Sequence, residues 1–230
     1  MAIFWRLILA HFIADFTLQC NDIARGKRAT VWEMLVHCLI HPAVSAVLVW
    51  PFLKTIWIQM PGINLPGWVC ILLIGFFHWV TDLWRAWSIK NAGTPDNTKV
   101  FLLDQLVHIC IIMVFAPFIP GMKAQIWVFI ALFVVLLTHF TSVFIFFLEN
   151  DLGGPSQVLG EKKYKFMAER LSAVVLFLLP GYGFLLAFAW IAWVLFVYYR
   201  RVGDRSWVHL SVSSVAVVLF GLAMRGLLYQ

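Results

Sequence analysis

Long apolar runs separated by short polar segments make up most of the chain. The runs lie at about 2–20, 31–53, 66–88, 99–119, 124–147, 166–200 and 207–228. A helix of about 20 apolar residues is long enough to cross a lipid bilayer. The run 166–200 is too long for one crossing, and Pro180-Gly181-Tyr182-Gly183 in its middle is typical of a turn. The pattern therefore predicts an all-α integral membrane protein with about eight transmembrane helices.

The composition favours the same class of protein. Of the 230 residues, 63% are hydrophobic and 12% are charged, whereas a soluble domain carries about 25% charged residues. No linker or low-complexity segment divides the chain, so we expect a single transmembrane domain over 1–230. His11 and Asp15 interrupt the first run, which argues against a signal peptide, so this run is expected to be retained as a helix.

The basic residues predict how the chain is oriented. Thirteen of the 17 Lys and Arg residues lie in or beside the segments that follow the predicted helices one, three, five and seven. Cytoplasmic loops of membrane proteins carry an excess of Lys and Arg, so these segments are expected to be cytoplasmic and both termini to lie outside. This distribution explains the net charge of +6, and we expect no nucleic-acid partner.

Four of the predicted helices each carry two ionisable residues spaced i, i+4. The pairs are His11 and Asp15, His37 and His41, His78 and Asp82, and Asp104 and His108. Residues four apart lie on one face of a helix. Inserting an ionisable group into a bilayer costs roughly 2.5–3.5 kcal/mol, so such groups are rare unless they have a function. We therefore expect the four faces to meet inside a helix bundle and to bring the eight groups together.

The spacing of these pairs also predicts an internal repeat. Adding 67 to the positions of the first two pairs gives the positions of the other two. We therefore expect two parallel helical hairpins, 1–53 and 66–119, followed by additional helices in 124–230. The alternating helix directions predict an outer layer of His11, His41, His78 and His108. The layer on the cytoplasmic side is predicted to contain Asp15, His37, Asp82 and Asp104.

Imidazole and carboxylate groups in a dry site favour a divalent metal. We predict one or two ions, with zinc preferred and iron or manganese as alternatives. The predicted ligands are His11, Asp15, His37, His41, His78, Asp82, Asp104 and His108. Asp15, Asp82 and Asp104 are also the candidates for a general base. Three other interpretations stay open, namely a hydrogen-bonded helix clamp, a proton or ion relay, and bis-histidine haem ligation.

The segments around these pairs resemble a known family. They are the stretch from Leu9 to Gln19, the stretch from His37 to His41, the pair His78 and Asp82, and the stretch from Phe101 to His108. They are similar to the bacterial membrane family called domain of unknown function 3307, and Glu169-Arg170 resembles a further feature of it. That family implies no particular activity, and its bacterial members imply a location in the inner membrane. A more distant similarity is to inner-membrane proteins described as metal-dependent hydrolases, which also place His and Asp in apolar helices.

Together these observations predict an intramembrane metal-dependent hydrolase. A site this deep suits a lipid or a lipid-linked phosphate as substrate, with membrane lipids as partners. No H-E-x-x-H motif is present, which disfavours a zincin-type protease. The alternatives are a metal-ion or proton transporter or channel that uses the same cluster, and a structural membrane partner with an inert metal.

Two further residues are weaker candidates. Gln19 continues the stripe of His11 and Asp15 and can line an entrance on the cytoplasmic side. Arg85 follows Asp82 by three residues and is either its ion-pair partner or a basic anchor at the membrane surface.

Overall fold

The protein is predominantly helical in the computed structural model, which describes residues 1–18, 31–153, 162–200 and 206–229. Four helices in these ranges are long and apolar enough to cross a membrane: Gly67–Asn91, Thr98–Phe115, Ile126–Asp151 and Trp207–Leu228. Trp32–Leu48 and Gly181–Phe196 are shorter apolar helices. The predicted predominantly helical, apolar fold is therefore confirmed, and the four long apolar helices suggest a membrane protein. The count of eight crossings stays a prediction.

Helices occupy all eight positions that the apolar runs predict, as far as the described ranges reach. They are α1 (Ala2–Phe12), α2 (Val31–Leu48), α3 (Gly67–Asn91), α4 (Thr98–Phe115), α5 (Ile126–Asp151), α6 (Lys162–Phe177), α7 (Leu185–Arg200) and α8 (Trp207–Leu228). Helix α1 continues as a π-helical turn, Ile13–Thr17, and α5 contains a second one, Leu136–Phe140. Single π-helical turns are frequent at functional sites, and one of these two turns contains Asp15.

The long run 166–200 is divided into α6 and α7 near Pro180, as predicted. The last carbonyl groups of a helix have no partner inside it, and here Arg225 supplies one. Its guanidinium donates to Phe177 O at 3.0 Å, to Leu179 O at 2.6 Å and to Gly181 O at 2.9 Å. The turn is therefore stabilised by a side chain from α8 as well as by its own residues.

A two-stranded antiparallel hairpin between α2 and α3 was not predicted. It pairs β1 (Ile56–Met60) with β2 (Ile63–Pro66). The turn between them places Gly62 at φ +78° directly after Pro61, as a type II turn requires. The hairpin is too short and too irregular in its apolar pattern to be read from the sequence.

The chain divides into two compact units, Met1–Val128 and Phe129–Gln230. In the first unit, α2 packs against α1 and α3, and α4 packs against α3 and α1, so the four helices close into a bundle. In the second unit, α6 packs against α7 and α8 around the fully buried Phe177. The predicted single transmembrane domain and the predicted repeat of two hairpins both stay predictions.

A small residue brings α2 and α3 close together beside the predicted site. A side-chain carbon added at Gly75 would lie 3.4 Å from the ring of Pro42. Glycine at this position allows the two backbones to approach closely, as small residues do between helices in membranes. Pro42 directly follows His41, and Gly75 lies one turn before His78. The close approach therefore brings these two histidines together.

Candidate metal centre

The structure brings the eight predicted His and Asp residues together inside the first unit. Seven of them are buried, with exposed fractions of 0 to 7%, and Asp104 is half-buried. Together with Cys38, they form four overlapping groups, and within each group the potential ligand atoms all lie within 4.8 Å of one another. The groups are Asp15, His37, His41 and His78; His11, Asp15 and His108; Cys38, His78 and Asp82; and Asp82, Asp104 and His108. These buried groups could hold a metal ion.

Asp15 is the centre of the cluster. Its Oδ1 lies 3.2 Å from His41 Nε2 and 3.3 Å from His37 Nε2. The same oxygen lies 3.9 Å from His78 Nε2, and Oδ2 lies 3.6 Å from His11 Nε2. One carboxylate on α1 therefore faces imidazoles from α1, α2 and α3. It reaches them from the π-helical turn at the end of α1.

Asp82 is a second acidic centre on α3. Its Oδ2 lies 3.5 Å from His37 Nε2 and 3.6 Å from His78 Nε2, and its Oδ1 lies 3.9 Å from His108 Nε2. His37 and His78 are each close to both Asp15 and Asp82. The two carboxylates therefore share their histidine neighbours and belong to one cluster.

Four histidines line a small cavity on one side of the cluster. They are His11, His41, His78 and His108, the four residues of the predicted outer layer. The ring centroids of His41 and His78 lie 3.7 Å apart, and those of His78 and His108 lie 4.0 Å apart. The cavity has a volume of about 10 Å³, which is close to the space that one water molecule needs.

Among the described residues, several buried polar atoms of the cluster face one another at 3.2 Å or more without a hydrogen bond of good geometry. They are the Nε2 atoms of His41 and His78 and the Oδ1 atom of Asp15. Buried polar groups in folded proteins are nearly always hydrogen-bonded, so each exception needs an explanation. A divalent cation between these three atoms would satisfy all of them, because neutral imidazole and carboxylate are its common ligands. The residues therefore fit a divalent metal.

Asp104 lies at the edge of the cluster and contacts a cation. Arg85 Nη1 donates to Asp104 Oδ2 at 2.7 Å, and Arg85 Nη2 donates to Asp96 Oδ1 at 3.1 Å. His108 Nδ1 lies 3.9 Å from the same Asp104 oxygen. The sequence left open whether Arg85 pairs with Asp82 or anchors the helix. The structure shows that its ion pairs are with Asp104 and Asp96.

Gln105 is a buried member of the site that the sequence analysis missed. Its Oε1 lies 3.2 Å from His11 Nε2, and its Nε2 donates to Asp15 Oδ2 at 3.2 Å. The buried face of α4 runs through Phe101, Gln105, His108 and Ile112. Gln105 lies three residues before His108 and therefore on the same face of the helix. Spacing counted from His108, instead of from Asp104, would have predicted that Gln105 faces inward.

Two other neighbours of the cluster were also missed. Cys38, which follows His37, is 3% exposed and lies in one of the groups with ligand spacing. Thr81 Oγ1 lies 2.7 Å from His108 Nε2. Cys38 directly follows His37, and Thr81 directly precedes Asp82. Their positions next to predicted site residues were the only signal in the sequence. Gln19 lies outside the described residues.

Comparison with known proteins identifies the family. The model of the family described as protein of unknown function (DUF3307) matches residues 3–132, more than half of the chain. This stretch contains all eight residues of the cluster, together with Gln105. No curated protein and no solved structure matches the chain, and the more distant similarity to hydrolases stays a prediction. The chain therefore belongs to the DUF3307 family of proteins of unknown function.

Proposed function

We propose that this protein is an intramembrane metal-dependent hydrolase whose metal centre is the cluster around Asp15 and Asp82. The observation that carries the proposal is the set of unsatisfied buried atoms, namely Asp15 Oδ1 and the Nε2 atoms of His41 and His78. These atoms and His37 form the group with four potential ligands. Zinc is the preferred ion because it is commonly bound by imidazole and carboxylate.

The charges in the cluster match one divalent ion. Asp15, Asp82 and Asp104 contribute three negative charges when ionised. Arg85 lies 2.7 Å from Asp104 and 3.1 Å from Asp96, so its charge is shared between Asp104 and a carboxylate outside the cluster. Asp15 and Asp82, at the centre of the cluster, contribute two negative charges, which balance a single divalent cation. Buried charges are costly unless they are paired, so this balance favours one ion at the group that contains Asp15.

The surroundings of the cluster suit a hydrolytic site. When bound, the ion would supply Lewis acidity and would acidify a bound water. The cavity beside His11, His41, His78 and His108 accommodates about one water molecule. Asp82 contacts His37, His78 and His108, so it holds imidazoles in place and can accept a proton from one of them.

The expected depth of the cluster in the bilayer supports the proposed class of substrate. The outer faces of α3 and α4 expose large apolar side chains such as Trp84 and Leu103, which is typical of surfaces that contact lipid. A substrate that approaches between such helices is itself soluble in the bilayer. We therefore propose a lipid or a lipid-linked phosphate, hydrolysed in the bacterial inner membrane. In the proposed orientation the chain crosses eight times, with both termini outside.

One observation favours a metal-ion or proton transporter as the second candidate. Polar contacts continue from His108 through Asp104 to Arg85 and Asp96, as a proton or ion path would require. Towards the other end of the bundle, the cavity is lined by Leu7, Ile74, Ile111 and Ile112, with Ser45 beside them. A transporter needs a polar path to both surfaces. The residues described here provide such a path on one side, so the hydrolase remains the first candidate.

The metal content of the purified protein tests the proposed centre. The full chain is purified in detergent without chelator, as wild type and as a His11→Ala/His78→Ala double variant, and metals are measured by mass spectrometry. We expect about one equivalent of zinc, iron or manganese in the wild type and its loss in the double variant. His139→Ala is the control, because His139 is a half-buried histidine of the second unit. A wild-type protein without metal would exclude the hydrolase.

Two assays on the metal-loaded protein separate the candidates. Release of phosphate or of a headgroup from a lipid phosphate, abolished in the double variant, would support the hydrolase. Metal-ion or proton flux into proteoliposomes without hydrolysis would support the transporter. A protein with bound metal that does neither would favour the structural role.

A further inference from the structure

We propose that the second unit contains a binding site for the phosphate group of an anionic ligand, between α6, α7 and α8. A cavity of about 40 Å³ lies between these helices. Its polar lining residues are Glu169, Arg170, Trp190, His209, Ser213 and Ser214. This proposal rests on residues of the second unit, Phe129–Gln230, and does not depend on the proposed metal centre.

Arg170 is the principal cation of this cavity. It is 3% exposed, and its Nη1 donates to Ser213 Oγ at 3.2 Å. Its Nη2 donates to Thr138 O at 2.9 Å and makes a short hydrogen bond to Ser142 Oγ. Its Nε has no hydrogen-bond partner in the described part of the chain. A buried guanidinium with an unused N–H is costly, so an acceptor at this position would stabilise it.

Trp190, which lines the same cavity, has a second unused donor. Its indole Nε1 is shielded from solvent and has no hydrogen-bond partner within the described ranges. The indole nitrogen can only donate. Arg170 on α6 and Trp190 on α7, each with an unsatisfied N–H group, therefore line one cavity together with Ser213 and Ser214. A ligand that satisfies both N–H groups must present acceptor oxygens.

The charge of the cavity favours an anion as the source of these oxygens. Glu169 lines the same cavity and offsets part of the charge of Arg170, but Arg170 makes no ion pair within 4.0 Å to a carboxylate of the described residues. One guanidinium matches the single negative charge of a phosphodiester, and arginine is suited to phosphate because its N–H groups form a planar fork. Lys163 and Lys165 in the first turn of α6 would attract an anion towards this end of the helix.

The size of the cavity and its setting favour a lipid phosphate. A volume of about 40 Å³ accommodates roughly three water-sized groups, so it can take the two non-bridging oxygens of a phosphodiester while the rest of the ligand lies outside. The outer face of α7 exposes Leu186, Phe188 and Trp193, against which acyl chains can pack. Free phosphate would use the same donors, so both sources must be tested.

Binding measurements on the delipidated full chain test the site. Retention of phosphatidylglycerol or phosphatidylcholine is measured by native mass spectrometry, and binding of inorganic phosphate by equilibrium dialysis. We expect phosphatidylglycerol to bind in preference to phosphatidylcholine. Trp190→Phe removes one donor but keeps an aromatic ring, and it should weaken binding about tenfold. Arg170→Gln should weaken binding further.

Two variants act as matched controls. Glu169→Gln removes the negative charge that lines the cavity, so phosphatidylglycerol should bind as tightly as to the wild type or more tightly. Trp193→Phe makes the same change as Trp190→Phe at a position that is 59% exposed, and binding should not change. Arg170 also contacts the π-helical turn Leu136–Phe140, so Arg170→Gln can fail to fold. In that case the comparison of Trp190→Phe with Trp193→Phe still tests the site.

The outcomes separate the sources and can overturn the proposal. Binding of phosphatidylglycerol without binding of inorganic phosphate would identify a lipid headgroup site. Binding of inorganic phosphate that is weakened by Trp190→Phe would identify a site for a soluble phosphate. Equal binding of both lipids without phosphate binding, or binding that Trp190→Phe leaves unchanged, would overturn the proposal.

Discussion

At the scale of single residues, Gln105 determines how two ionisable groups of the cluster are held. Its amide nitrogen faces Asp15 Oδ2 and its carbonyl oxygen faces His11 Nε2, each at 3.2 Å. In this arrangement the carbonyl accepts the His11 Nε2 proton, and Asp15 Oδ1 is turned towards His37 and His41. A neutral residue therefore orients the central carboxylate. Such outer partners of metal ligands strongly influence affinity.

Replacing Gln105 tests this positioning role. Gln105→Leu removes both hydrogen bonds while it keeps the approximate volume of the side chain. We expect the affinity for the metal to fall about 10- to 100-fold, measured by competition with a chelator of known affinity. Leu103→Ala is the control, because Leu103 is 60% exposed on the same helix. Unchanged affinity in Gln105→Leu would show that Asp15 does not need this partner.

At the scale of helices, arginine side chains and close helix contacts hold the elements together. Arg6 donates to Leu48 O, at the end of α2, at 2.7 Å, and Arg225 donates to three carbonyl groups near the end of α6. A bilayer offers no water to satisfy such carbonyl groups. Helices α6 and α8 also approach closely, because a side-chain carbon added at Gly221 would lie 2.5 Å from Phe177 Cδ2.

The contact between Gly221 and Phe177 predicts a large difference between two glycines of α8. Gly221→Ala would force the fully buried ring of Phe177 to move, and we expect it to reduce the free energy of unfolding by about 1–3 kcal/mol. A side-chain carbon added at Gly226 would have no neighbouring atom within 4 Å, so Gly226→Ala should stabilise the helix by up to about 1 kcal/mol. Thermal unfolding in detergent measures both. Equal stabilities would contradict the close packing of α6 and α8.

At the scale of the whole molecule, many large apolar side chains are exposed while several ionisable side chains are buried. Trp84 and Val114 are 68% and 69% exposed, whereas His37 and His108 are 0% and 2% exposed. Large apolar groups on the outside and ionisable groups on the inside are typical of helices that contact lipid. Loops that lie in water should therefore alternate between the two sides of the membrane.

Fusions of alkaline phosphatase test this alternation, because the enzyme is active only outside the cytoplasm. We expect active fusions at Gly62, Gly121 and Gly181, and inactive fusions at Gly93 and Gly153. All five glycines have positive φ and lie outside the helices α1 to α8. The eight-crossing topology places the first three outside, in agreement with the positions of the basic residues. An inactive fusion at Gly181 would show that 166–200 does not turn back at Pro180.

Local pattern was sufficient to predict the helices and most members of the candidate site. The apolar runs located the helices, and Pro180-Gly181 located the break between α6 and α7, because helix length and turn preference depend on neighbours in the chain. The i, i+4 pairs identified eight residues that the structure brings together. The cost of burying ionisable groups in an apolar helix predicted their convergence before any contact was known.

Other features were decided only by the tertiary structure. The pairing of Arg85 with Asp104, the bridge from Gln105 to His11 and Asp15, and the π-helical turn at Asp15 all depend on how far each helix is rotated about its axis. Spacing along one helix defines a face but does not define which atoms of another helix oppose it. The cavity between α6, α7 and α8 has the same origin, since Arg170 and Trp190 lie 20 positions apart in the sequence and line one cavity only because α7 turns back against α6.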